Sequence, residues 1–194
     1  MKVVIFNGSP RKDGATKRCS DVVIEELEAA GIECEYVWIG IDNLQGCISC
    51  YKCAQNQDKR CSVTNDKLNS YIEKMLEADG IILASPTYFA DTATNMKALI
   101  ERAGMVSKTN GDIYKHKVGA AVVSVRRAGA VHVFSSINFF FLINQMFVVG
   151  SSYWNLGVNP NVAKPEKIEK DSEGMATFRN LGKNMALLLK KLNT

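Results

Sequence analysis

No stretch of this 194-residue chain is long and uniformly apolar, no basic run exceeds a short cluster, and only two histidines occur. Each absence removes a class of function. The most apolar segment, residues 128–150, is interrupted by His132, Ser135, Ser136, Asn138, Asn144 and Gln145, so it reads poorly as a spanning helix and no membrane segment is expected. The formal charge of +4 is spread over clusters such as Arg11-Lys12, Lys115-His116-Lys117 and Arg126-Arg127, too weak a signal for nucleic acid. His116 and His132 have no partner at ligand spacing and read as structural. The first apolar run is only four residues long before turn formers follow, which is not a signal peptide, and a cytoplasmic location is expected. No repeat, low-complexity tract or linker divides the chain, and its composition, 46% hydrophobic and 23% charged, is that of an ordinary globular protein. Residues 1–194 are therefore read as one domain.

Short β-branched runs alternate with helical periodicity along this domain. Residues 2–6 form a buried strand that stops at Asn7-Gly8-Ser9-Pro10. From Thr16, Cys19, Val22, Val23, Leu27 and Ala30 recur at helical spacing, and Gly31 follows as a C-terminal stop. Strands are predicted at 33–39, 80–85, 118–124 and 147–149, and helices around Leu68–Leu76, at 92–102, at 131–146 and from about Ser172 onward. This order predicts an α/β protein with a doubly wound, five-stranded parallel sheet, helices on both faces and right-handed crossovers. Ligands of such sheets lie beyond the carboxyl ends of the strands, where strand order reverses. Residues 40–66 interrupt the alternation as a cysteine-rich insertion, too long for a plain connection.

Three loops carry the parts of a nucleotide site. NGSPRKDGAT, residues 7–16, joins a strand to a helix and supplies backbone N–H groups, the hydroxyls of Ser9 and Thr16, and the Arg11 cation, all suited to a phosphate. It is neither a P-loop nor GxGxxG, and a turn with Thr16 capping the helix is the plainer alternative. SPTYFAD, residues 85–91, places Pro86, Thr87, Tyr88 and Phe89 where an aromatic pair can flank a flat ring, or simply cap the core. SVRRAGA, residues 124–130, brings Arg126 and Arg127 toward the ring or a pyridine-nucleotide phosphate, or toward water.

The stretch GCISCYKCAQNQDKRC, residues 46–61, holds four of the six cysteines, Cys47, Cys50, Cys53 and Cys61, as C-x2-C-x2-C-x7-C. Two successive two-residue gaps let three thiolates wrap one corner of a cubane while a fourth closes it from further along. Structural zinc more often uses two separated knuckles, neither gap has a thioredoxin setting, and a loop that merely packs beside the cofactor is the plain alternative. Cys19 and Cys34 read as core thiols, and Trp38 and Trp154 as packing residues.

NGSPRKDGAT, GCISCYKC with Cys61, and SPTYFADTATNMKALIER, in this order, resemble the flavodoxin-like NAD(P)H-dependent FMN reductase superfamily, especially its iron-sulfur flavoprotein branch. The resemblance spans nearly the whole chain. It implies a flavodoxin-like fold, FMN held by the loops after the first and third strands, and dimers or tetramers. Ser9, Arg11 and Thr16 match the phosphate loop, and Pro86, Thr87, Tyr88 and Phe89 the flavin-ring loop. Ala15 stands where the family usually has Asn, and Ala90 where Gly is common. The expected activity is FMN-dependent oxidoreduction, with NAD(P)H or ferredoxin as donor, a [4Fe-4S] cluster on the four clustered cysteines, and no acid–base catalytic residue. The rival expectation is a non-enzymatic flavin-binding electron carrier or regulatory module. FMN is preferred to FAD because one short anion loop is visible and no second dinucleotide half. A homo-oligomer is also expected, because the helix at 131–146 carries Phe139, Phe140, Phe141, Leu142 and Ile143 and is apolar nearly all round.

Overall fold

The computed structural model describes residues 1–193. Its core is a parallel sheet in the order β2-β1-β3-β4-β5, with β1 at Lys2–Asn7, β2 at Glu33–Trp38, β3 at Gly80–Pro86, β4 at Val118–Val125 and β5 at Phe147–Val148. A strand buries alternate residues on opposite faces, and here both faces are covered. Val3 and Ile5 of β1 join the cluster under α1 (Ala15–Ala29) and α6 (Ser172–Leu192), with Cys19, Leu27, Phe178 and Leu181. Val4 and Phe6 join the opposite cluster, under α3 (Leu68–Glu77), α4 (Thr94–Thr109) and α5 (Ala130–Ile143). The result is the doubly wound, flavodoxin-like α/β architecture. Among the described residues no helix is long and apolar enough to cross a membrane.

The structure adds a sixth strand, β6 (Leu156–Val158), absent from the five-strand expectation. β5 pairs with the start of β4 at Val118 and Gly119, and β6 with its end at Val123 to Val125. The fifth position of the sheet is thus filled by two short pieces, and the chain leaves the sheet between them. Three residues, Leu-Gly-Val, are too few to show alternation, which is why no periodicity marks β6.

Other boundaries also move. α4 begins at Thr94, not Thr92, since Ala93 is still extended, and it continues past Arg102 to Thr109 because Ala103 and Val106 carry on the buried stripe. α5 ends at Ile143, and Gln145 turns left-handed just beyond it. The insertion contains a short helix, α2 (Lys52–Asn56). Cys34 lies half-buried on the edge strand β2, so it is not a full core thiol, whereas Cys19 is wholly buried. Trp154 is exposed, against the packing expectation, because it stands in the segment that leaves the sheet between β5 and β6.

Candidate functional site

Strand order reverses between β1 and β3, and the carboxyl ends of β1, β3 and β4 frame a cleft of 260 Å³. Ser9, Arg11, Ala15 and Thr16 line it from the first loop, Pro86, Thr87 and Tyr88 from the second, and Arg126 from the third. Three loops far apart in sequence therefore meet at one place.

The first loop is folded by its own polar side chains. Asn7 Oδ1 accepts the Ser9 N–H at 2.8 Å, and Ser9 Oγ accepts the Arg11 N–H at 3.2 Å, so two successive local turns reverse the chain before α1. Gly14 stands at the N-cap of α1, and no side chain caps the helix there. Its first N–H groups have no partner within the helix, and the positive end of its dipole borders the cleft. Thr16 does not cap the helix. Its Oγ1 lies 2.8 Å from Ser124 Oγ, linking the first and third loops. Arg11 reaches from an exposed position and donates to the Val162 carbonyl, beyond β6. The end of β2 supports the loop from behind, where Trp38 Nε1 donates to the Ser9 carbonyl at 2.7 Å.

The second loop is a tight reversal. Tyr88 and Asp91 exchange two backbone hydrogen bonds of 2.9 Å, and the residues between them, Phe89 and Ala90, take φ values of 48° and 61°. Both central residues are thus left-handed, a conformation that non-glycine residues adopt at a cost. This geometry corrects one expectation. Phe89, at the tip, projects into solvent and does not line the cleft, so Tyr88 alone of the aromatic pair borders it. Gly129, at φ 89°, closes against this turn, and a Cβ there would meet Ala90 Cα at 2.9 Å. Thr87 donates its backbone N–H to the Ser124 carbonyl, while its buried Oγ1 has no partner within the protein. An unpaired buried hydroxyl, an open helix N-terminus and an aromatic ring on one cleft suit a ligand with an anionic end and a flat, polar-edged ring. FMN has that chemistry. Asn159 and Val162 also line the cleft and were not anticipated, because only the unseen strand β6 carries the chain back to it.

The four clustered cysteines line a second, small cavity of 20 Å³ against α4. Ser49, Tyr51, Gln57 and Lys59 are all left-handed, with φ between 52° and 59°, so the backbone is tightly coiled through the motif. Gln57 Nε2 donates to the Thr109 carbonyl at 2.6 Å, and the Lys59 N–H to Asn110 Oδ1 at 2.9 Å, which fixes this coil to the end of α4. Cys61 is held on both sides of its backbone by Asn69, which accepts its N–H at 2.8 Å and donates to its carbonyl at 2.9 Å. Among the described residues no three His, Cys, Asp or Glu side chains are grouped so as to hold one metal ion. Thiols arranged around a cavity, not around a point, form a soft all-sulfur donor set of the kind that takes iron-sulfur groups.

Arg102 is buried beneath this coil, 1% exposed, and ion-paired to Asp66, which is 5% exposed. Burial pushes the Asp66 carboxyl up, but the Arg102 guanidinium and the Leu68 and Gln45 N–H groups outweigh it and hold the carboxyl below its ordinary range. Removing one member of such a pair costs about 3–5 kcal/mol, since the other is left buried and charged. The thiols also differ. The Ser62 hydroxyl, then the Lys52 N–H, hold exposed Cys50 below the ordinary thiol range, whereas burial pushes Cys34 up to about 12 and wholly buried Cys19 higher still. Because the thiolate is the reactive form, iodoacetamide should label Cys50 first and Cys19 last in the reduced, metal-free chain. Peptide mass spectrometry over a time course checks this, and labelling of Cys19 before Cys50 would contradict it.

A flavodoxin-like sheet with an anion-and-ring cleft at its switch point defines a class of mononucleotide-binding redox protein. Residues 1–160 match the family described as NADPH-dependent FMN reductase. An iron-sulfur flavoprotein from Methanocaldococcus jannaschii is 34% identical, the match covering 98% of each chain, and one from Methanosarcina thermophila is 31% identical over 97% of this chain and 95% of that one. This chain belongs to the NADPH-dependent FMN reductase family of flavin-dependent oxidoreductases, in its iron-sulfur flavoprotein branch. In fold it is similar to RosB, solved with a bound 8-demethyl-8-formylriboflavin-5'-phosphate intermediate, at a TM-score of 0.81 and 21% identity, over 100% of this chain and 80% of that one. It is also similar to an archaeal flavodoxin, at a TM-score of 0.61 and 16% identity, over 98% of this chain and 99% of that one.

Proposed function

We propose that this chain is a cytoplasmic FMN-dependent oxidoreductase that takes electrons from NAD(P)H or a ferredoxin and delivers them to an acceptor, using FMN in the cleft and a [4Fe-4S] cluster on Cys47, Cys50, Cys53 and Cys61. The observation that carries this reading is the convergence of eight anticipated residues on one cleft and of all four cysteines on one cavity. FMN supplies both one- and two-electron chemistry, and the cluster single electrons. The chain's own residues bind and orient. The α1 N-terminus and Ser9 would receive the phosphate, with Arg11 and Thr16 beside it, and Thr87 would offer its unpartnered hydroxyl to the ligand. Tyr88 would border the ring, Arg126 would be available to the donor, and no side chain is assigned an acid–base step. The assembly is a homodimer or homotetramer joined through the exposed face of α5.

Anaerobic purification from iron-replete cells tests the reading. The expected result is a flavin spectrum with a broad iron-sulfur shoulder that bleaches on reduction. Ser9→Ala with Thr16→Ala should weaken FMN retention at least about tenfold, as expected for losing hydrogen bonds to a charged group. Cys53→Ser should remove iron and acid-labile sulfide, while Cys19→Ser leaves both in place. Iron-free wild type would remove the cluster, and undiminished FMN affinity in a folded double variant would remove the phosphate loop. A protein that holds flavin but reduces no acceptor with either donor would be a carrier.

A further inference from the structure

Of the polar groups around the cysteine cavity, one is placed to govern the redox behaviour of whatever the thiols hold. Arg102 Nε carries a single hydrogen, and it points at Cys61 Sγ from 3.3 Å. The rest of the guanidinium is committed elsewhere. Nη1 donates to the Gln45 carbonyl at 3.2 Å and to Asp66 Oδ2, and Nη2 donates to the Val63 carbonyl at 2.7 Å. The planar fork is therefore fixed in rotation, and the Nε–H direction is fixed with it. Other donors near the sulfurs are weaker. Thr109 Oγ1 is 3.5 Å from Cys53 Sγ, but its one hydrogen is better spent on the Met105 carbonyl at 2.8 Å. Ser62 Oγ lies 3.3 Å from Cys50 Sγ at the exposed side of the motif, where water competes.

We propose that the buried Arg102–Asp66 pair is a positioning and potential-setting device for the cysteine centre: Arg102 presents one hydrogen-bond donor to the Cys61 sulfur, and Asp66 cancels the guanidinium charge that would otherwise act on the whole site. The inference rests on the reading that the four cysteines hold an iron-sulfur cluster. Taking up an electron makes the cluster and its sulfur ligands more negative, so a donor on a ligand sulfur stabilises the reduced form and raises the reduction potential. An uncancelled cation stabilises it further. The two members of the pair therefore act with opposite signs, although both are needed for the same local structure.

That opposition makes the test. Reduction potentials are to be measured by anaerobic titration followed by electron paramagnetic resonance, on wild type, Arg102→Gln and Asp66→Asn, together with iron content and thermal melting. Arg102→Gln should lower the potential, reducing the reduced-to-oxidised ratio at fixed poise about tenfold, or ~59 mV for a one-electron couple. Asp66→Asn should shift it upward by a similar amount. Should either variant fail to fold, Arg102→Lys is the substitute. Lysine keeps a charge against Asp66 but has no Nε–H fork, and it should lower the potential as the glutamine does. Folded, iron-loaded variants whose potentials do not move, or move in the same direction, overturn the proposal and leave the cluster reading intact. Iron-free wild type overturns both.

Discussion

Replacing Gly40 by alanine is expected to release FMN from an otherwise folded chain, with an affinity loss of about 100-fold, the size associated with ångström-scale misplacement of binding groups. Gly40 follows β2 and sits against the first cleft loop. A Cβ built there would lie 1.7 Å from the Ser9 carbonyl oxygen, 2.3 Å from its carbon and 2.8 Å from the Pro10 nitrogen. These are backbone atoms, so no rotamer change can relieve the overlap, and the loop must move. The same carbonyl accepts the Trp38 indole N–H, so that bond is strained or lost together with the loop position. Ser9 Oγ and the start of α1 would then lose the arrangement proposed to receive the phosphate. β1 and β3 pair independently of this turn, so the sheet should persist. Gly150→Ala is the matched control, since nothing lies within 4 Å of the added carbon. FMN affinity by equilibrium dialysis, with far-ultraviolet circular dichroism for folding, decides the matter. Near-native affinity in Gly40→Ala would show that the loop position is not what retains the flavin.

Phe139→Glu combined with Leu142→Glu should separate the proposed oligomer into folded monomers, while Phe140→Glu should unfold the chain. The three positions are close in sequence and opposite in setting. Phe139, Leu142 and Ile143 are 65%, 59% and 61% exposed, whereas Phe140 is 4% and Phe141 0% exposed. Phe140 packs edge-to-face on Phe141 and against Tyr114, inside the cluster between α4 and the sheet. Truncating such a residue costs about 3–5 kcal/mol, and a buried carboxylate costs more, which is comparable with the whole stability of a domain. The exposed set gains only when a partner covers it, about 1.5–3 kcal/mol for each large side chain fully buried, and a twofold interface counts each residue twice. The C-terminal α6 does not provide that cover, because it packs on α1 across the sheet. Sedimentation equilibrium should find wild type as a dimer or tetramer and the double variant as a monomer. A monomeric wild type with FMN bound would end the proposal.

Much of the outcome was readable from local pattern. β1 and β3 carry continuous apolar runs buried on both faces, and α6 shows an unbroken apolar stripe, so their positions follow from period and burial alone. The cleft loops were legible because phosphate and ring chemistry need particular residue types directly after a strand, and the cysteine motif because four thiols at short spacing are rare without a purpose. Which face of α5 is spare was not legible. Three phenylalanines in a row look alike until α4 and the sheet claim Phe140 and Phe141 and leave Phe139 outside. Nor was the fate of Phe89, which depends on a left-handed turn set by pairing between Tyr88 and Asp91.

Residue types and their spacing by themselves determined the class of fold, the positions of the first four strands along the chain, the loops that meet at one cleft and the four cysteines that line one cavity. Only the tertiary structure decided that Gly40 must have no side chain, that β6 returns Asn159 to the cleft, and that Arg102, marked in the sequence only as a residue of a helix, is buried with Asp66 beneath Cys61. The physical reason is range. Periodicity and turn chemistry act over a few residues and leave a trace in the sequence. A carbonyl crowding a glycine 31 residues away, or a guanidinium meeting a thiol 41 residues away, leaves none until the sheet and helices have brought the two together.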